Sequence, residues 1–352
     1  MTERKTTGAS LPLKTLPIDE RWDCHGCGQC CHGTIINLDA ADLARLGSQQ
    51  WEKHPELAGT AVVRRASWLG RHRVLARRAD GYCVFLTPQG RCRIHEEHGE
   101  QAKPWMCRMF PLQVVRLDQL AYVTSRRSCP SAAADSGRPV AEHVAAVGRL
   151  LNERGVVIRP AEAPRITGRR RFGWKDVQRV AESIERLLVD HRFSPVRRLV
   201  HGLHFCRLLD ECRLKRLDSR ALGELLALLE SSAVEGAGDV FRDRQQPTRA
   251  AAGVFRQVAL EHVRLHPRYV IRESWGEKWR LLWAAYRFAR GKGRLPYLHA
   301  SLPEMTFDVL DQPLGHLSEE LIEPVVTYFE TAVTSRQYML LGRSKWSITE
   351  SY

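Results

Sequence analysis

Eight of the ten cysteines in this 352-residue chain lie within its first 130 positions, and four of them open the group as Cys24-x-x-Cys27-x-x-Cys30-Cys31. The other four, Cys83, Cys92, Cys107 and Cys129, follow singly. Thiols at this density are prone to oxidation unless something holds them, and the short intervals let several sulfurs converge on one ion or cluster. The first third of the chain is therefore expected to fold around a thiolate-bound centre. These eight cysteines are the candidate metal ligands.

Compartment decides between metal and disulfide. Met1 to Glu20 is polar and has no apolar segment of the kind a secretory signal needs, and no run elsewhere is long and apolar enough to cross a bilayer. We expect a cytoplasmic protein without membrane contact, in which thiols stay reduced and ligation is favoured over disulfides.

Two ligation chemistries fit. For zinc, a Cys-x-x-Cys pair supplies two thiolates and the later cysteines two more, closing a tetrahedral structural site. For a 4Fe–4S cluster, Cys24, Cys27 and Cys30 wrap the cubane and a remote cysteine followed by proline completes it, a context that Cys129-Pro130 provides. Adjacent Cys30 and Cys31 point apart, so one small ion rarely takes both; eight thiols fill two four-ligand sites or one site with thiols to spare. His25, His32, His95 and His98 lie near the cluster in sequence, where exposure or a hydrogen bond to a ligand is commoner than ligation. Cys206 and Cys212, six apart in a helical segment, face different directions and read as ordinary buried thiols.

The chain carries 54 Lys and Arg against 40 Asp and Glu, a net charge of +14. The excess is spread, +5 over residues 1–135 and +9 over 136–352. A centre with four thiolates carries about −2 whether built on zinc or on a cubane, which offsets part of it. The densest basic stretches, Arg71-His-Arg73 with Arg77-Arg78 and Arg169-Arg170-Arg171, read as solvated faces and a linker.

Pattern places the elements. Residues 1–20 read as a flexible leader. Asp39 caps a short helix to Leu46, and Ala61–Arg78 alternates weakly as strands. Cys83-Val-Phe-Leu86 and Arg91-Cys-Arg-Ile-His95 flank Thr87-Pro-Gln-Gly90, the residue choice of a type I turn, so a hairpin is expected with Cys83, Phe85, Cys92 and Ile94 on one face. Lys103-Pro104-Trp-Met-Cys107 reads as a helical turn ended by Phe110-Pro111, and Leu112–Ser125 as strand. After Ser131 the texture becomes helical: Glu142–Arg154, a basic linker over Ile158–Phe172, then a stripe of Trp174, Val177, Val180, Ile184, Leu187 and Leu188. Val196–Leu214, Leu222–Leu229, Ala250–His266, Trp275–Arg290 and Leu317–Leu340 continue it. The expected fold class is α+β: a small cysteine-rich, metal-organised domain over 21–135, in which the metal substitutes for apolar core, followed by an all-α domain over 136–352.

The segment Asp23-Cys-His-Gly-Cys-Gly-Gln-Cys-Cys-His32 resembles the CxxCxxCC family of YkgJ-like cysteine-cluster proteins, regarded as zinc- or iron-chelating domains. Cys83-Val-Phe-Leu86, Gly90-Arg-Cys92-Arg-Ile-His95 and Cys107-Arg-Met-Phe-Pro111 are similar to that family's later elements, so the resemblance covers about residues 21–131. Ile94-His-Glu-Glu-His-Gly-Glu-Gln-Ala102 and the helical region after Cys129-Pro130 also look like the family's flagellin lysine-N-methylase branch.

Three functions follow as expectations. The first is a metal-binding module, zinc or iron–sulfur, whose helical domain docks a protein substrate or partner. The second, implied by the branch resemblance, is a protein-lysine N-methyltransferase using S-adenosylmethionine with an iron–sulfur cluster. Only Cys27 to Cys31 gives the first interval of the radical-enzyme motif, and Glu235-Gly-Ala-Gly-Asp239 follows a helical segment where a nucleotide-binding glycine loop would follow a strand. The third is a zinc-stabilised nucleic-acid binder, motivated by charge but without aromatic interleaving.

Overall fold

The computed structural model describes residues 10–32, 35–66, 72–78, 81–166, 172–212, 214, 217–238, 248–265, 275–296, 304–312, 315 and 318–336. It contains small sheets toward the N-terminus and long helices after them, an α+β fold. Its contacts form two units. One comprises Met1–Cys24, Pro111–Arg244 and Leu317–Tyr352; the other comprises His25–Phe110 and Gln245–His316. Each unit is assembled from segments that are far apart in the sequence.

The first unit is built on a hairpin. Strands β6 (Leu112–Leu117) and β7 (Leu120–Ser125) pair antiparallel from Leu112–Ser125 to Leu117–Leu120, with Asp118 turning the chain at φ 54°. An Asp tolerates this left-handed conformation better than most residues. Leu13–Thr15 form strand β1, parallel to β7, so this part of the expected leader is structured. Helix α5 (Val140–Glu153) covers β1 and β7, burying Val140, Val147 and Leu151. Short strands β2 (Arg21–Trp22) and β8 (Arg138–Pro139) pair beside it. A Cβ at Gly137, held at φ 121°, would lie 2.4 Å from the Asp23 nitrogen, so only glycine lets this pair close.

Within the same unit, helices α6 (Trp174–Leu188), α7 (Pro195–Glu211) and α8 (Ser219–Gly236) share one apolar core. The predicted stripe of α6 lies in it: Val177, Val180, Ile184, Leu187 and Leu188 are buried. Asp218 caps α8 by accepting from the Arg220 and Ala221 amides. The C-terminal helix Glu319–Thr334 adds Val333, and Arg198 pairs with its Glu330. The expected linker is corrected in part. Ile158, Ile166 and Phe172 are buried, the last two in the helical core, because apolar side chains in a basic segment still gain by leaving water. Arg169, Arg170 and Arg171 lie outside the described residues. Cys206 is fully packed in this core and Cys212 borders it, as ordinary thiols do.

The second unit begins with a three-stranded antiparallel sheet in the order β3 (Asn37–Leu38), β5 (Arg73–Leu75), β4 (Val63–Arg65). Asp39 caps helix α1 (Ala40–Ser48) through the Asp42 amide. Trp51, Phe85, Ile94, Leu38, Leu46 and Leu75 form a core, with the Trp51 and Phe85 rings edge-on at 4.8 Å. This corrects the expectation that a metal replaces apolar core here. The later part of the unit contains α9 (Arg249–Leu265), α10 (Trp275–Arg290) and α11 (Phe307–Leu310), joined by Phe288 on Phe307 and by an Arg256–Asp311 pair at 2.6 Å. Among the described residues no helix is long and apolar enough to cross a membrane.

Candidate metal centre

The opening cysteine motif is shaped by glycine. Gly26 and Gly28 take φ values of 68° and 71°, and the chain then makes a single 3-10 turn over Gln29–Cys31, with the Cys31 amide bonded to the Gly28 carbonyl at 2.9 Å. A Cβ on Gly28 would meet the Gly90 carbonyl oxygen at 2.9 Å and Leu86 Cδ1 at 3.1 Å. The motif is therefore pressed against the loop that carries Cys83 and Cys92. The Cys83 amide bonds the Cys31 carbonyl at 2.8 Å, and the His32 ring lies 4.4 Å from that of Tyr82.

The loop itself departs from the expected hairpin. The turn is present, with the Gly90 amide bonded to Thr87 and the Thr87 amide to Arg91. Leu86, however, bridges to Cys92, and Arg93 at once begins helix α2 (Arg93–His98). The Glu96 amide bonds the Cys92 carbonyl, so the chain closes a helical turn where a second strand was expected. Phe85 and Ile94 enter the core while Cys83 and Cys92 stay half-buried at its border. Burial raises the Cys92 pKa, and the His95 and Ile94 amides, which donate to its sulfur, offset part of that rise.

Cys107 sits in helix α3 (Trp105–Met109), which starts after Pro104 as expected. Helix α1 holds this segment. Buried Asp42 accepts from the Trp105 amide at 2.9 Å and from Arg45 at 3.0 Å, and the Gln49 side chain donates to the Ala102 carbonyl at 2.9 Å.

These elements gather Cys30, Cys31, Cys83, Cys92 and Cys107, drawn from four separate stretches of sequence. Cys31 exchanges thiol hydrogen bonds with Cys30 and Cys83. Cys107 is pushed well above the ordinary thiol range by burial, and further by Cys31, Cys92 and Cys30. For Cys31, the bond from Cys30 lowers its pKa, but the bond to Cys83 and burial outweigh it and leave the group at about 12. Cys30 is raised by its bond to Cys31 and by the burial of its sulfur, although the residue as a whole is exposed. Neighbouring sulfurs that resist ionising together are what a thiolate site looks like before a cation neutralises it. Among the described residues, no three His, Cys, Asp or Glu side chains converge at ion-holding distance.

Three candidates remain, Cys24, Cys27 and Cys129. Cys27 is exposed in the same unit. Cys24 and Cys129 belong to the first unit, one exposed, the other buried as the residue before helix α4 (Pro130–Ala133). His95 and His98 are exposed on α2, with His98 edge-on to Trp51 at 5.1 Å. All ten cysteines are free thiols, with no disulfide.

Two cations beside the cluster escape a reading of the sequence. Lys103 opposes the rise that sulfur contacts and burial bring to Cys30, Cys92 and Cys107, and Arg77, whose own pKa burial lowers, lies near enough to Cys83 to interact with it. Arg77, read as part of a solvated face, is half-buried with a guanidinium nitrogen, Nη2, lacking a partner. The position of Lys103 immediately before Pro104 and four residues before Cys107 was the available signal.

Residues 23–130 match the CxxCxxCC family model. Its description is "Putative zinc- or iron-chelating domain". The match starts one residue before Cys24 and ends one after Cys129, so all eight candidate cysteines fall inside the CxxCxxCC region. That region is a little under a third of the chain. No curated protein and no solved structure matches the chain. The CxxCxxCC description names chelation and does not speak of methyl transfer or nucleic acid. Gly236, in the glycine stretch weighed as a loop, lies in the last turn of α8.

Proposed function

We propose that the CxxCxxCC region binds zinc or iron through thiolates, with the ligands drawn from Cys30, Cys31, Cys83, Cys92 and Cys107. What supports this reading is that five thiols from four stretches lie near enough to influence one another's ionisation, beside two cations, within the region that matches the chelating-domain model, although among the described residues no three of them stand at ion-holding distance. The donor set fits either metal: four sulfurs close a tetrahedral zinc site, and the same four hold the corners of a cubane. Lys103 and Arg77 would offset the net negative charge that four thiolates leave on either centre.

Five thiols exceed the four that either a tetrahedral zinc ion or a cubane takes, so the surplus does not choose between them and one of the five would stand outside the ligand set. When bound, an iron–sulfur cluster would supply electron transfer or substrate activation, whereas zinc would supply a structural clamp.

Metal analysis of protein purified without oxygen or chelators tests the reading. Iron with matching sulfide, or one equivalent of zinc, supports it. Substituting Cys31→Ser or Cys107→Ser is expected to lower the content strongly, while Cys206→Ala leaves it unchanged. Folded protein holding neither metal would overturn it.

A further inference from the structure

Helix α10 presents an unusual outer face. Trp275, Trp279, Leu282, Trp283 and Tyr286 are all exposed, the three tryptophans at 79%, 69% and 60%. With about 100° of rotation per residue, these five fall within an arc of roughly 100° along one side of the helix. The opposite side faces inward: Ala284 and Phe288 are buried, and Phe288 meets Phe307 edge-on at 5.1 Å. Among the described residues the aromatics form a second apolar face, opposite the one that packs on Phe307.

Charge flanks that face. Lys278 lies on one side of the arc and Arg280 and Arg287 on the other, with Arg290 near its C-terminal end; Glu277 is the helix's one acidic residue. The Lys278 ammonium sits 5.4 Å from the Trp275 ring, and Arg290 donates to the Tyr286 hydroxyl at 3.3 Å. Trp283 and Tyr286 stack at 5.5 Å. Lys292 and Arg294 follow directly, both exposed.

We propose that this face of α10 docks on the surface of an anionic lipid bilayer, with the helix lying in the plane of the interface. Tryptophan and tyrosine rings partition to the boundary between headgroups and acyl chains, and flanking Lys and Arg reach lipid phosphates while their stems cover apolar surface. From Trp275 to Tyr286 the aromatic stripe runs about 16 Å, enough for a stable footprint. The sign of the charge chooses the occupant. A second copy of a chain carrying +14 is repelled as a whole, whereas an anionic surface attracts both the helix and the chain. The absence of a spanning segment, which underlay the expectation of no membrane contact, bears only on crossing a bilayer and not on lying upon one.

Sedimentation of the full metal-loaded chain with phosphatidylglycerol–phosphatidylcholine vesicles, against phosphatidylcholine alone, tests this. The anionic vesicles are expected to bind roughly tenfold or more tightly, with a blue shift of tryptophan emission and weakening at high salt. The double substitution Trp279→Ser/Trp283→Ser should weaken binding about tenfold or more, as should Lys278→Glu/Arg290→Glu. Arg207→Glu/Arg220→Glu, a charge-matched change on exposed positions of α7 and α8, should leave it nearly unchanged. Because all of these side chains are exposed, the variants should keep their metal content and fold. No binding to anionic vesicles overturns the proposal, as does binding that survives the tryptophan change or falls equally in the control variant. A wild-type dimer that the tryptophan change converts to monomer, or protection of the face by nucleic acid and not by lipid, also overturns it.

Discussion

The buried carboxylate of Asp42 accepts a hydrogen bond from the backbone amide of Trp105 at 2.9 Å, and so fixes the start of the helix that carries Cys107. Asp42 is in turn held by Arg45 and by its place in the first turn of α1, which Asp39 caps. Removing it takes the acceptor from the part-buried Trp105 amide and one partner from Arg45. The substitution Asp42→Ala should destabilise the unit by about 1–3 kcal/mol and weaken metal retention by roughly 10- to 100-fold, the usual effect of losing a group that orients a ligand. Asp42→Asn, which keeps an acceptor oxygen, should recover most of both. Chelator competition and thermal unfolding of the two variants read this out; equal metal retention in Asp42→Ala and the parent would show that Asp42 does not position the site.

Gly28 provides a second handle. Its φ of 71° and the 2.9 Å approach to the Gly90 carbonyl mean that any side chain must push apart the turn bearing Cys30 and Cys31 and the loop bearing Cys83 and Cys92. Gly28→Ala is expected to lower metal content while leaving the Trp51–Phe85 core folded, since that core does not include Gly28. By comparison Gly59→Ala, also at positive φ but in open space, should bring backbone strain of about 1 kcal/mol and no loss of metal. Metal analysis beside far-ultraviolet circular dichroism separates the two effects; full metal content in Gly28→Ala would count against the packing described.

Glu20 makes stability depend on pH. Burial raises its pKa above the ordinary 4.5, more than the hydrogen bond from Thr124 at 2.8 Å and the nearby Arg127 lower it. A carboxyl whose folded pKa exceeds its unfolded value binds more protons when folded, so its contribution falls as pH rises from 4.5 through the raised value. Glu20→Gln retains an acceptor for Thr124 and should be more stable than the parent at neutral pH, with a flatter profile over that window. Urea unfolding between pH 4 and 8 tests it. A parent that gains stability relative to Glu20→Gln as pH rises would reverse the sign.

Gly137 predicts a large structural effect outside the metal region. A Cβ there meets the Asp23 nitrogen at 2.4 Å and the Trp22 carbonyl carbon at 2.6 Å, and φ is 121°. Gly137→Ala should cost roughly 2–3 kcal/mol by opening the β2–β8 pair, visible as a fall in the denaturant midpoint. An unchanged midpoint would show that this pair bears no strain.

Much of this was legible in the sequence because local chemistry dictates it. Asp39 announced its helix, Pro104 and Pro111 bounded α3, and the periodic apolar stripe of α6 faces its core. What stayed hidden was long-range. Nothing in Leu13–Thr15 says that it pairs with Leu120–Ser125, more than a hundred residues away. The turn at Thr87–Gly90 could be read, but whether helix or strand follows Cys92 depends on the Glu96 amide finding the Cys92 carbonyl. The cysteines gave themselves away by type and spacing, whereas Lys103 and Arg77 look like any surface cation until the fold brings them to the thiols.

The most direct test is the metal content of freshly purified protein, kept from oxygen and chelators, measured alongside that of a Cys31→Ser/Cys107→Ser variant. The account predicts stoichiometric zinc, or iron with sulfide, in the parent and little in the variant, with the apolar core of the same unit still folded. Parent protein that is folded yet free of both metals, or a variant that keeps its full complement, would contradict it.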